Sequence, residues 1–313
     1  MYPSTSIASA HGYPPRADAR PAQCSTPSPM QTDLNGRLVP FDLQAGAVYA
    51  LGLTFSDHIR ETGERTGKPV VFRKHCRPQP VEQGLLLQPT PTQLSAAIAT
   101  VDAGLAGWLQ QRFGELPVLL DYEVEIGIAL LEPVTLQQLQ SSASPRYGLF
   151  VANDVTARSV QIAGEAAKDK LACWAAAKSF AGFLPVGRQL WLPDQPQLDG
   201  FPPLQLQTLV NGEIRQSASS SQIIYSPRQL LQFAAASTPD GCLQANDLVL
   251  CGTPAGIGLS IPRWKRRLAA LLPPRQRVLA ALRANRANPR LLQRGDQVQF
   301  SADWLGRGSF RLC

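Results

Sequence analysis

Residues 121–133 read DYEVEIGIALLEP, and this stretch restricts the fold more than any other. Tyr122, Val124, Ile126, Ile128 and Leu130 alternate as one apolar face, the period-two pattern of a half-buried strand. The opposite face carries Glu123, Glu125, Gly127 and Ala129, two carboxylates followed by two small residues. Residues two apart on an extended strand point the same way, ~6.6 to 7 Å apart. Two ionised carboxylates so placed in a semi-buried setting repel, so one takes a proton or a cation lies between them. Hard oxygen ligands suit Mg²⁺, Mn²⁺ or Ca²⁺. Gly127 and Ala129 then read as room for the ion and a substrate. The bland reading is an exposed edge strand with two solvated glutamates, and a lone Glu-x-Glu favours it.

The rest of the chain supplies short strands with a few helices among them. GAVYALGLTFSDHIRETGER gives a strand running into a polar helical stretch, and KPVVFRKH a strand bounded by Pro69. TPTQLSAAIATVDAGLAGWLQQRFG spaces Leu94, Ala97, Ile98, Val101, Leu105 and Trp108 as a helix ending at Gly114. Residues 137–145 read as a linker. Asn211-Gly212 between two strand-like runs marks a hairpin. Ser226 and Pro227 read as the N-cap and first position of another helix. NDLVLCGTPAGIG is a buried strand delivered into a Gly-rich turn, and GDQVQFSADWLGRGSFRLC closes with a hairpin. Strands not regularly separated by helices argue for a β-rich α+β fold over a doubly wound sheet.

Composition narrows the setting. With 44% hydrophobic and 17% charged residues in 313, the chain suits a soluble globular domain. No apolar run reaches the ~18 to 20 residues of a membrane span. Residues 1–33 read as a Pro/Ser-rich disordered tail without the ~7 to 15 residue apolar core of a secretory signal. Met30 competes with Met1 as the start, and residues 34–313 form the expected domain. Six scattered cysteines with no Cys-x-x-Cys pair are expected to be reduced thiols in the cytoplasm, with no zinc site among them. The net charge of +7 is local: residues 261–294 hold ten Arg or Lys and no acid.

Other stretches carry chemistry only in combination. VANDVTAR offers Asp154, Thr156 and Arg158 after a strand, and by itself is a turn. KSFAGFLPVG presents Lys178, which alone reads as a surface lysine. GTPAGIG offers Thr253 and backbone N–H groups able to hold a carboxylate, yet any glycine turn does so. SDHIRETG places His58 and Glu61 on one helical face, either a base with its orienting acid or a solvated pair.

In order along the chain stand SDHIRETG, PVVFRK, DYEVEIGIAL, VANDVTARSVQ, AKSFAGFLPVG, VNGEIRQ, GTPAGIG and GDQVQF. From about residue 47 to the C-terminus this series resembles the fumarylacetoacetate hydrolase family, in particular its short members akin to acylpyruvate hydrolases. The resemblance implies a mixed β-sandwich or roll with few helices, usually a homodimer, holding Mg²⁺ or Mn²⁺ in a cleft. It implies Glu123, Glu125 and Asp154 as metal ligands, with Lys178 near the reacting oxygens. Arg158, Gln161 and Thr253 are implied to hold the substrate, a small anionic keto acid. His58 and Glu61 match a dyad on a lid that orders over ligand. The implied reaction is hydrolysis of a C–C bond in a 1,3-dicarbonyl or acylpyruvate-type acid, the ion stabilising the enolate and His58 activating water. Decarboxylation, isomerisation or hydration of a 2-oxo acid can use the same ion, and a degenerate binding protein is the third reading.

The chain departs from the family pattern in three places. Ser159 stands where the family has the acid of its usual ARD. FRKHCRP replaces the commoner FLKP, which leaves the role of Lys74 open. Residues 92–113 and 261–294 look like insertions. The basic one reads as two short amphipathic helices broken at Pro273-Pro274, with Leu268, Leu271 and Leu272 on one apolar face and Val278, Leu279 and Leu282 on the other. It could cap the site's mouth, bind an anionic membrane or nucleic acid, or pack as a solvated hairpin on the domain.

Overall fold

The Glu-x-Glu strand, Val124–Leu130, runs through the middle of a nine-stranded sheet. The computed structural model describes residues 35–62, 67–141, 144–259 and 271–313. On one side the strand pairs antiparallel with Tyr147–Asn153, beyond which lie Gln189–Pro193 and Gly36–Pro40. On the other it pairs antiparallel with Leu248–Leu250, followed by Val48–Gly52 and Val70–Lys74. Every residue of Val124–Leu130 is buried, so the strand is interior on both faces rather than on one.

The two faces meet different surroundings. Val124, Ile126, Ile128 and Leu130 join Leu149, Val151 and Val249 in the main core. A five-stranded sheet covers that face, in the order Glu213–Ser219, Gln205–Val210, Gln297–Ala302, Gly306–Leu312 and Gly84–Leu86. It contributes Leu206, Val210, Val298, Phe300 and Phe310 to the same core, giving the sandwich that the family resemblance implies. Its hairpin turns at Asn211 and Gly212, both at positive φ (52° and 83°), as a two-residue primed turn requires.

The opposite face holds a smaller cluster with Phe41, Phe72, Ala129, Phe150 and Ala152. Here one expectation is corrected. Gly127 pairs across the sheet with Phe150, and a Cβ on Gly127 would lie 2.1 Å from that ring. The glycine therefore makes room for Phe150, itself edge-on to Phe41 at 5.0 Å, and not for ion or substrate. Period-two patterning gives a side chain's direction but not what the neighbouring strand sets against it.

Two further expectations change. The helix read through to Gly114 is two helices, Pro91–Ala99 and Ala103–Phe113. Asp102 breaks it by accepting the Leu105 N–H at 2.9 Å as a new N-cap. Leu94, Ile98, Leu105 and Leu109 are all buried, so the apolar spacing survives the break. The linker at 137–145 contains a short helix, Leu136–Gln140, begun by a capping box between Thr135 and Gln138.

In the basic segment, the helix Pro274–Asn285 starts at the second proline and buries Val278 and Leu282. It packs on the helix Arg158–Ala163 and the turn after it. Residues 261–270, with Leu268, lie outside the described residues, and Leu271 and Leu272, expected on an apolar face, are instead exposed in a turn before the helix.

Candidate metal centre

Three carboxylates converge where the central strands meet. Glu123 precedes Val124–Leu130, Glu125 lies on it, and Asp154 follows Tyr147–Asn153. The Asp154 N–H donates to the Glu123 carbonyl at 2.7 Å, which locks the two segments together. Side-chain amides hold the same backbone from the interior: Asn153 Oδ1 accepts the Glu123 N–H (3.2 Å) and Gln216 Oε1 the Val124 N–H (3.0 Å). The Gly252 N–H donates to Glu125 Oε2 at 2.8 Å. Gly252 sits at φ +85°, and a Cβ there would meet Thr54 Oγ1 at 2.1 Å, so this turn requires glycine. Carboxylate oxygens of Glu123, Glu125 and Asp154 lie within 4.8 Å of one another, all three residues buried. Among the described residues no other group of acidic, His or Cys side chains is so arranged.

Cations surround this cluster. Lys178 caps the C-terminus of Lys170–Ala177, and its Nζ donates to Glu123 Oε2 (2.5 Å), Asp154 Oδ2 (2.7 Å) and Thr156 Oγ1 (2.8 Å). Lys74, the last residue of Val70–Lys74, donates to Asp154 Oδ1 and to the Phe183 carbonyl at 2.8 Å. Arg158 donates to Glu123 Oε1 (2.7 Å), Asp121 Oδ2 (2.7 Å) and Gln161 Oε1 (2.5 Å). Asp121 in turn accepts the N–H groups of Gly258 (2.8 Å) and Leu259 (3.1 Å). Arg158 thus braces Glu123, and the Gln161 amide oxygen is engaged with it.

The charges divide as the sequence foresees. Burial pushes the Glu123 carboxyl up, but Lys178 and Arg158 outweigh it and hold the group at about 2. Burial raises Glu125 well above the carboxylate range, and the neighbouring charge of Asp154 and then Glu123 adds to the rise. Burial works against a charged Lys178, yet Asp154 and Glu123 overcome it and raise its pKa, so it stays protonated. Of the two like charges on one strand, one therefore carries a proton unless a cation joins them. The donor set, three hard oxygens without sulfur or imidazole, fits a hard divalent ion held by Glu123, Glu125 and Asp154.

The proposed dyad stands at the rim. His58 and Glu61 lie on the helix Ser56–Thr62, with Nδ1 3.4 Å from Glu61 Oε2. The Gly256 N–H, in the Gly-rich turn, donates to the same oxygen at 3.2 Å. A protonated His58 also helps hold Glu123 down, so the imidazole stands within electrostatic reach of the cluster. Buried Thr253 accepts from Gln216 Nε2 at 2.9 Å. The structure therefore joins Glu123, Asp154, Lys178, Arg158 and Gln161 in one bonded network. Glu125, Thr253 and the dyad attach to it through the 252–256 turn.

Three members of this network escaped sequence reasoning, Asp121, Asn153 and Gln216, and Lys74, whose role the sequence left open, is found on Asp154. Asp121 opens DYEVE and Gln216 ends VNGEIRQ, both inside quoted stretches, but an acid or amide at a strand end carries no sign of its partner. Ser159 does not support Arg158. It accepts the Leu119 N–H at 3.2 Å and donates to the Pro117 carbonyl, and Asp121 supplies the acid that Arg158 needs.

Comparison with known proteins agrees with this architecture. The family description "Fumarylacetoacetate (FAA) hydrolase C-terminal" matches residues 47–312. An uncharacterized protein of Archaeoglobus fulgidus is 30% identical over 68% of this chain and 69% of its own length. The mitochondrial oxaloacetate tautomerase oaa1 of Schizosaccharomyces pombe is 28% identical over 70% of this chain and 86% of its own. The crystal structure of fumarylpyruvate hydrolase from Pseudomonas aeruginosa, in complex with Mn²⁺ and pyruvate, shares the fold. Its TM-score is 0.55 at 20% identity, covering 86% of this chain and 90% of that one. With its match spanning nearly the whole described domain, the chain belongs to the fumarylacetoacetate hydrolase family.

Proposed function

We propose that this chain is a Mg²⁺- or Mn²⁺-dependent enzyme that hydrolyses a C–C bond in an acylpyruvate-type 2-oxo acid. The supporting observation is the convergence of three buried carboxylates, a buried Lys178 and a His58–Glu61 pair docked on the 252–256 turn. A divalent ion held by Glu123, Glu125 and Asp154 supplies Lewis acidity toward the keto oxygens of a bound acid. Arg158 and Lys178 fix Glu123 and Asp154 in place beforehand. Lys178 adds permanent positive charge where negative charge develops on the substrate. His58, its Nδ1 turned to Glu61, takes a proton from water at Nε2, and the oxygen of that water attacks the distal carbonyl. The protonated His58 then returns its proton to the departing carbon, which leaves two acids. Thr253 and Gln161 border the site and offer polar groups to the substrate's carboxylate.

A second reading, interconversion of keto and enol forms of an oxaloacetate-like acid, draws on the fission-yeast relative's name. That reaction needs only the proton transfer at His58 and no attacking water. Steady-state assays of acylpyruvates, oxaloacetate and fumarylacetoacetate analogues with Mg²⁺ or Mn²⁺ test both. Hydrolysis is expected to fall ~10²- to 10⁴-fold in His58→Ala, while decarboxylation, which needs no activated water, keeps most of its rate. Mn²⁺ binding without turnover of any acid in the panel leaves only the binding-protein reading. The homodimer belongs to the same proposal, and sedimentation velocity on the full chain checks it.

A further inference from the structure

Lys74 and Lys178 both bind Asp154, one on each oxygen, but their settings differ. Lys178 reaches Glu123 and Thr156 as well. Lys74 reaches neither. Its side chain is 0% exposed, and its second bond runs to the Phe183 carbonyl, 2.8 Å away, on a segment that carries none of the proposed ligands. It is tethered independently of Asp154 and holds a fixed charge against Oδ1 only.

We propose that Lys74 is a positioning residue that makes Asp154 a one-oxygen ligand and so selects small six-coordinate cations over Ca²⁺. The proposal rests on the metal reading above. A carboxylate that binds an ion through both oxygens places that ion close to each of them. At Asp154 this would bring a divalent ion toward an ammonium that cannot withdraw, because Val70–Lys74 and the Phe183 carbonyl fix it. Lys178 divides its donors among Asp154 Oδ2, Glu123 and Thr156, so Oδ2 would be the oxygen shared with an ion while Lys74 keeps Oδ1. Ca²⁺ takes 6–8 oxygens and commonly accepts two from one carboxylate, whereas Mg²⁺ demands near-ideal octahedral geometry from single oxygens. Removing the Lys74 charge should therefore favour Ca²⁺ more than Mn²⁺.

The test is competitive binding, with Mn²⁺ affinity followed by electron paramagnetic resonance and Ca²⁺ or Mg²⁺ added as competitor. It uses the full chain, wild type, Lys74→Gln and Lys74→Met, each checked for folding by circular dichroism. Preference for Mn²⁺ over Ca²⁺ should fall at least tenfold in Lys74→Met and by less in Lys74→Gln, which keeps a donor without the charge. An unchanged preference in folded variants overturns the proposal, since a purely structural tether would lower all affinities alike. Infrared spectra of wild-type protein carrying ¹³C-labelled aspartate carboxyl groups give an answer independent of the variants. One-oxygen band splitting with both Mn²⁺ and Ca²⁺ supports the assignment, and a two-oxygen pattern with Mn²⁺ overturns it. Failure of wild type to bind Mn²⁺ at all sinks the metal reading itself and is thereby distinguished from failure of the Lys74 role.

Discussion

Glu125 is the side chain through which pH reaches this site. Its raised pKa means that it keeps a proton well above the ordinary 4.5, and a bound ion must displace that proton. Mn²⁺ affinity should therefore rise with pH, by up to tenfold per unit, from 4.5 to the raised value and level off above it. Calorimetry in buffers of different ionisation enthalpy should register one proton released per ion in that window. Stability moves the other way in metal-free protein. A group whose folded pKa is raised stabilises fully below its unfolded value, and that contribution disappears as pH climbs through the folded value. Melting with EDTA should then drop over the same window, and Mn²⁺ should remove the drop. Asp121 offers a second check. Asp121→Asn leaves the buried Arg158 guanidinium with Glu123 and Gln161 but without its other carboxylate. Breaking a buried ion pair by removing one partner costs ~3–5 kcal/mol, and the remaining partners place this case near ~3 in urea unfolding.

At the scale of elements, the pairing of Gly127 with Phe150 makes the central strand specific to its neighbour. Gly127→Ala drives a methyl into the Phe150 ring and should destabilise by about 1–3 kcal/mol. Gly127→Ala combined with Phe150→Leu should recover much of that loss in the same denaturation experiment, because the leucine is smaller. The same pair shows what could be read from the residues alone. Strand alternation, the Asn211-Gly212 turn and the Ser226 cap are local rules, and each one emerges in the fold. Glu123 and Glu125 announced themselves because two like charges in an apolar strand conflict without any reference to the rest of the chain. Phe150 opposite Gly127, Asp121 under Arg158 and Gln216 on Val124 are relations between segments 23 to 92 residues apart, and no local pattern encodes them. The Asp102 break shows the converse limit: apolar spacing continues through a cap, so periodicity alone cannot see it.

For the molecule as a whole, the described part of the basic segment, residues 271–294, is woven into the domain rather than hung upon it. Val278, Leu282, Leu291 and Leu292 are buried, Arg290 donates to the Gly256 carbonyl at 3.2 Å, and Asn288 donates to that of Gly258 at 3.1 Å. Four such side chains contribute roughly 1.5–3 kcal/mol each, together comparable to the ~5–15 kcal/mol net stability of a domain. Deleting 274–292 should therefore yield unfolded protein by circular dichroism, not a trimmed enzyme. Salt-sensitive retention of the intact chain on DNA or anionic vesicles would instead assign the segment a partner. Among the described residues no helix is long and apolar enough to cross a membrane. The glycine turn at 252–256 carries a consequence for biosynthesis. Gly252 and Gly256 give their N–H groups to Glu125 and Glu61, which precede them by 127 and 195 residues. All three proposed ligands and Lys178 leave the ribosome well before either glycine does. A nascent chain halted between Lys178 and Gly252 would hold all three carboxylates and still lack the glycine amides that aim Glu125 and Glu61, so a complete ion site would await synthesis of the 252–256 turn.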